Sequence, residues 1–191
     1  MTAKRIGIYG GTFDPIHNGH LRVVVELITR KVVDQIILIP AGEPRLRENA
    51  PVADGQTRLE MCRLAVSDLP VGIKEHVEVS DIEVVRSGPS YAIDSVSDIE
   101  NSKGNNVELF WIIGSDAYEK IEDWHRSKEL QEKVSFIVID RPGVKPGDKG
   151  DGLDIGALNI SATDIREDKE VSGVSPSVRK YITERKLYAS K

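Results

Sequence analysis

The chain has 191 residues, 39% hydrophobic and 30% charged, enough to bury one sizeable core and far from the compositions that leave a chain disordered. Against 31 Asp and Glu stand 26 Lys and Arg, a formal net charge of -5 with no basic surplus for counterion-driven binding to nucleic acid, so a polyanionic ligand must be held by a local cluster of donors. The single Cys62 excludes an internal disulfide, residues 1–9 lack the pattern of a secretory leader, and no apolar run approaches the ~18 residues of a membrane span. The expectation is one domain over 1–191 in the cytoplasm, with neither nucleic acid nor membrane as partner; a homo-oligomer is left open.

The run "RIGIYG" closes on glycine, and Leu21, Val24, Val25 and Ile28 then recur at helical spacing, which predicts strand, glycine turn, helix. "QIILIP" is again unbroken and ends at Pro40; a strand apolar on both faces suits a central parallel position covered by helices above and below. The alternation continues with a helix from about Gln56 to Ser67, a strand near His76 to Val85 and a helix from about Ser90. The strand "VELFWIIG", helical pieces through Leu130 and the strand "VSFIVID" follow. Cys62 falls in the first of these helices beside Leu59 and Val66, as a core residue. A short helical piece after "ALNI" and a last helix from about Pro176 to Lys186 complete the chain. This order predicts an α/β fold, a doubly wound, Rossmann-like parallel sheet with helices on both faces, whose ligands sit beyond the carboxyl ends of the strands, where Gly10, Pro40, Gly114 and Arg141 fall. Two stretches lack periodicity, Ala41–Gly55 and Arg141–Gly152; the second, rich in Gly, Pro and Lys, reads as an excursion rather than a site.

The stretch "GGTFDPIHNGHL" carries the first chemistry. Gly10 and Gly11 let the backbone approach a ligand, and the helix that follows offers unpaired N–H groups and a positive dipole end. Asp14-Pro15 makes a tight turn, and His17 and His20, three apart across the helix start, project toward one cavity. The plainer reading makes one histidine a cap and leaves the other exposed; a metal reading lacks further ligands, since neither His76 nor His125 sits at ligand spacing. Phosphate recognition fits the pair best. In "ISATDIRE", Ser161 and Asp164 form a capping-box pattern, and Arg166 is expected in a first turn, where a cation needs an anionic ligand to be favourable.

These residues resemble the nucleotidylyltransferases that share the HxGH motif, and specifically the bacterial nicotinate-nucleotide adenylyltransferases. The resemblance implies transfer of AMP from ATP to nicotinate mononucleotide, with Mg²⁺ bound through the ATP phosphates and no metal ligated by the protein. It also implies a C-terminal helical part from about 161 that completes the ATP site. By the same likeness His17, His20 and Arg166 are catalytic, and Gly10, Gly11, Thr12, Phe13, Gly19, Ser161, Thr163 and Arg166 bind ATP. "IIGSDAYEKIEDW" is similar to the family's GxD segment with a following aromatic, so Gly114 and Asp116 bind the nucleotide and Trp124 stacks on the pyridine ring, unless it is a core aromatic like Trp111. "GPSYAIDSV" is similar to the family's SYT segment, with Tyr91 matching and Ala92 in place of Thr. His125 stands where the family often has Tyr, and the acceptor loop reads Pro44, Arg45, Leu46, Arg47 where the family commonly reads PPHK, leaving Arg45 and Arg47 to clamp a phosphate. "VRKYITERKLY" resembles the family's terminal helix.

Three other readings compete. One is an adenylyltransferase of the same superfamily with a different acceptor, such as the amide mononucleotide, phosphopantetheine or another phosphate monoester. Another is a non-catalytic nucleotide sensor; the last, a nucleic-acid module, meets the acidic balance. Class I aminoacyl-tRNA synthetases share a related histidine motif but are far longer.

Overall fold

The apolar runs assemble as five parallel strands in the order β3-β2-β1-β4-β5. The structure, a computed structural model, describes residues 3–42, 50–104, 106–140, 152–156, 158–167 and 173–189. Its strands are β1 (Lys4–Gly11), β2 (Gln35–Pro40), β3 (Val77–Val79), β4 (Val107–Gly114) and β5 (Ser135–Ile139). Between them lie α1 (Asn18–Thr29), α2 (Gly55–Ser67), α3 (Val71–Lys74), α4 (Ala92–Lys103), α5 (Ser115–Tyr118) and α6 (Ser127–Lys133). α7 (Ala162–Glu167) and α8 (Pro176–Arg185) follow β5.

Strands apolar on both faces require two cores, and two are present. Ile36 and Leu38 of β2, with Ile112 of β4 and Ile137 of β5, face Leu21, Val24 and Leu27 of α1, Met61 and Cys62 of α2 and Val178 and Ile182 of α8. The alternate positions Ile6, Ile8, Ile37, Ile39, Leu109, Trp111 and Ile113 face Ile93, Val96 and Ile99 of α4 and Leu130 of α6. Period-2 alternation of Cβ directions sends each unbroken run to both cores. Cys62 is a packed core residue whose thiol burial pushes up, so it supplies no nucleophile.

The pairing around β1 creates the ligand crevice. β1 and β4 stay paired only as far as Ile8 and Trp111, whereas β1 remains on β2 out to Gly11 and Pro40, and β4 on β5 out to Gly114 and Ile139. Strand order reverses between β1 and β4, so the sheet splits at its carboxyl end where doubly wound folds bind ligands.

The expected strand near His76–Val85 is corrected to Val77–Val79. Ser80 still donates its N–H to Leu38, after which Val85 N–H turns back to Asp81 and the Glu83 carboxylate points inward to the Ser95 hydroxyl. The apolar residues that extended the pattern are spent on this turn, and Val85 ends up exposed. The one-turn helix α3 was not expected; Pro70 opens it. Of the aperiodic stretches, 43–49 and 141–151 lie outside the described residues, and with them the readings of Pro44, Arg45, Leu46, Arg47 and Arg141. No described helix is long and apolar enough to cross a membrane.

Candidate active site

Aromatic rings close over the end of β1. A Cβ on Gly11 would lie 2.8 Å from the Phe13 ring and one on Gly10 3.0 Å from Trp111 Cζ2, so these glycines are what lets the turn fit beneath the rings. Phe13 adopts a left-handed φ of 49° to set its buried ring edge-on to Tyr9 and to His20, at centroid separations of 5.6 and 5.0 Å. The strain of that backbone is held by packing on both sides.

α1 begins directly after His17, which occupies the N-cap position in extended backbone. Its main-chain N–H donates to His20 Nδ1 at 3.2 Å. The spacing of three is therefore the reciprocal spacing of a capping box, with imidazole in the place of a carboxylate. Because Nδ1 accepts this bond, the neutral His20 ring carries its proton on Nε2, as a donor. The two rings stack, with centroids 3.7 Å apart and planes 30° apart. Gly19 is required between them, since a Cβ there would lie 2.9 Å from His17 Nδ1. The first turn of α1 contains no acidic residue, so its dipole favours an anion, although Asn18 N–H donates to the Gly173 carbonyl at 2.7 Å and His20 N–H to the His17 carbonyl at 2.9 Å. Capping and ring stacking are thus one arrangement that keeps the two histidines together, where the plainer reading would have left one of them exposed.

Arg166 arrives at this loop from the far end of the chain. Its guanidinium donates to the Asp14 carbonyl at 2.6 Å and to Thr163 Oγ1 at 3.1 Å. Ser161 and Asp164 make one arm of the expected capping box, Asp164 N–H donating to Ser161 Oγ at 3.0 Å; in place of the reciprocal main-chain bond the hydroxyl donates to Asp164 Oδ2 at 2.7 Å. The expected position of Arg166 is corrected: it sits in the last turn of the six-residue α7, where the helix dipole already favours a cation, so the dipole says nothing about a ligand there. What brings Arg166 to the histidine loop is its bond to the Asp14 carbonyl.

On the other side of the crevice, Gly114 ends β4 and Asp116 is exposed in α5. Trp124 is half-buried, its ring edge-on to Trp111 at 6.1 Å and 89°. The same Trp111 bounds Gly10, so one indole joins the glycine turn to Trp124. Tyr91 immediately precedes α4, whose first residue is Ala92, and stacks on exposed His125 at 4.1 Å and 29°.

Three structural contributors escaped the sequence reading. Asp14, buried, accepts from Val52 N–H at 2.7 Å and Ala53 N–H at 3.2 Å, and Tyr188 Oη donates to its Oδ1 at 2.7 Å. Burial and this bond push the Tyr188 phenol up, so it stays a donor. Tyr188, read as part of the terminal helix, lies beyond its end at Arg185 with a φ of 61°. Arg58 is fully buried on α2; burial lowers its pKa while the nearby Asp14 carboxylate raises it. A legible signal existed for Arg58: it lies on the stripe with Cys62 and Ala65 that α2 buries, an unusual place for a charge. Tyr188→Phe is expected to cost about 1–3 kcal/mol, lowering Tm by several degrees in a thermal melt, because Asp14 loses a buried partner; an unchanged Tm would show that Asp14 does not need it.

Residues 8–168 match the cytidylyltransferase-like family. The probable nicotinate-nucleotide adenylyltransferase of Salinispora tropica is 36% identical over 190 residues, covering 94% of this chain and 98% of that protein. That of Shouchella clausii is 34% identical over 193 residues, covering 97% of each. The solved structure of Plasmodium falciparum nicotinic acid mononucleotide adenylyltransferase complexed with NaAD superposes with a TM-score of 0.81 over 97% of each chain at 22% identity, a likeness of fold. With its HxGH turn at the mouth of the split parallel sheet, the chain belongs to the nicotinate-nucleotide adenylyltransferase family, within the cytidylyltransferase-like group.

Proposed function

We propose that the protein transfers the adenylyl group of ATP to nicotinate mononucleotide, releasing pyrophosphate and forming nicotinate adenine dinucleotide. The observation that carries this reading is the stacked His17–His20 pair at the start of α1, with Arg166 tied to the same loop through the Asp14 carbonyl. Such a set is rich in donors for a triphosphate, and direct attack by the acceptor requires no protein nucleophile.

An acceptor phosphate oxygen attacks the α-phosphorus of ATP in line, the new P–O bond forms, the bond to the β-phosphate bridging oxygen breaks, and its electron pair leaves with pyrophosphate. Catalysis is then positioning plus stabilisation of charge that grows on the phosphate oxygens. His20 Nε2–H, His17 and the positive dipole end of α1 serve the phosphates, with Gly10, Gly11, Thr12, Phe13 and Gly19 shaping the approach. Ser161, Thr163 and Arg166 hold the outer phosphates, so the C-terminal part from about 161 completes the ATP side of a single domain. Gly114 and Asp116 serve the nucleotide ribose. Trp124, Tyr91, Ala92 and His125 form the acceptor side, and Arg45 and Arg47 are assigned there by resemblance.

Among the described residues no three His, Cys, Asp or Glu side chains come together as a cation cage. The donor set of imidazole and guanidinium suits phosphate rather than Mg²⁺, so magnesium enters as part of the MgATP substrate.

Pyrophosphate release from ATP, measured with nicotinate mononucleotide, its amide analogue and phosphopantetheine, tests the assignment. The acid mononucleotide is expected to give the highest kcat/KM. A higher value with another acceptor would overturn the acceptor, and ATP binding without turnover on any of them would favour a sensor.

A further inference from the structure

Gly42 lies just past β2, between the two halves of the site, where two buried charged residues meet its main chain. The Arg58 guanidinium, 1% exposed, donates to the carbonyls of Gly42 at 3.2 Å, Thr12 at 2.7 Å and Ala53 at 3.1 Å. Glu83, 6% exposed, packs its main-chain carbonyl on Gly42 while its carboxylate accepts from Ser95 Oγ at 2.6 Å. Contact here is so close that a Cβ on Gly42 would stand 2.0 Å from the Glu83 carbonyl and 3.0 Å from Ser90 Oγ. A continuous run of contacts therefore leads from Thr12 in the glycine turn, through Arg58 and Gly42, to Glu83 and on to Ser90 and Ser95, which flank Tyr91 in sequence.

Packing alone gives no reason to bury these charges. Removing a carboxylate or guanidinium from water is costly, and burial pushes the Glu83 carboxyl up while Ser95, Arg86, Ser90 and the Gly42 amide pull it back. Directional bonds, from Arg58 to three main-chain carbonyls and from Ser95 to Glu83, are what the pair supplies that apolar side chains would not. We propose that Arg58, through Gly42, and Glu83, through Ser95 and the packing of its main chain on Gly42, are positioning residues that set where the acceptor half of the site stands relative to the ATP loop. The proposal rests on the adenylyl-transfer reading above. The Glu83 carboxylate is tied to Ser95, in the helix that follows Tyr91, whereas Arg58 grips Thr12 in the glycine turn, so the two differ in which substrate they affect.

Steady-state kinetics of the full chain, with ATP and nicotinate mononucleotide varied separately, test this. Glu83→Gln is expected to raise KM for the mononucleotide about tenfold, the size of one weakened charge-assisted hydrogen bond, while KM for ATP and kcat stay within about twofold. Arg58→Lys, which keeps the charge but loses the planar fork, is expected to raise both KM values and lower kcat. Unchanged or equally raised KM values in Glu83→Gln, with or without a lower Tm, would reduce Glu83 to a structural residue and overturn the proposal. If Glu83→Gln fails to fold, Ser95→Ala removes the 2.6 Å partner and should show the same split at smaller size; equal KM values there overturn the proposal as well. A wild-type chain silent with the mononucleotide overturns the functional reading together with this one. An active wild type with a symmetric Glu83→Gln overturns this one alone.

Discussion

Replacing His20 with alanine is expected to lower kcat by about two to three orders of magnitude while KM for ATP changes less than about threefold, the pattern of a donor whose interaction strengthens only as charge develops on the transferring phosphate. The expectation follows from the capping geometry. His20 Nδ1 is occupied by the His17 main-chain N–H, which leaves Nε2 as the donating atom and fixes the ring's direction before substrate binds. Phe13 holds the ring edge-on from one side and His17 stacks on the other, so the donor is oriented in advance. Loss of the cap contributes about 1 kcal/mol of instability, too little to unfold a domain with two cores, so a thermal melt and steady-state pyrophosphate release together separate folding from chemistry. His20→Gln, which can donate but lacks the fixed tautomer, should recover part of the loss. Near-normal turnover in His20→Ala would remove the imidazole pair from the reaction and with it the functional reading.

Sequence pattern reveals the elements because both cores draw on the same runs. "QIILIP" and "VELFWIIG" alternate between the α1/α2/α8 side and the α4/α6 side, so each reads as unbroken apolar sequence and as nothing else. β3 is read too long because it is an edge strand of three residues whose alternation continues into a turn. Periodicity counts apolar residues, and it is blind to the Glu83 carboxylate that bends the chain inward. The two signatures are legible because their spacing has a local cause: three residues are the spacing of helix-start capping in both His17–His20 and Ser161–Asp164. The way they meet is not local. Arg166 reaches the Asp14 carbonyl across 152 residues of sequence, and Asp14 in turn gathers Val52, Ala53 and Tyr188 from two other segments. Long-range bonds to main-chain carbonyls leave no residue-type pattern, so the place of Arg58 on the buried stripe of α2 marks it as unusual without showing which carbonyls it meets.

Arg166→Ala is expected to lower kcat/KM for ATP by about two orders of magnitude or more, through both a higher KM and a lower kcat. One arm of its guanidinium is committed to the Asp14 carbonyl and one to Thr163 Oγ1, so the protein fixes the plane of the fork and leaves the remaining N–H groups to a phosphate. Arg166→Lys should recover less than about tenfold of the loss, since a single ammonium cannot hold both protein partners and still reach the ligand. Combining His20→Ala with Arg166→Ala tests whether the two segments serve one triphosphate. Groups that act as a unit on the same transition state are strongly non-additive, so the double variant should lose well under the product of the single losses. Strict multiplicativity of the two effects would mean that the imidazoles and the guanidinium stabilise different things, and the shared loop at Asp14 would then be an anchor for α7 with no part in adenylyl transfer.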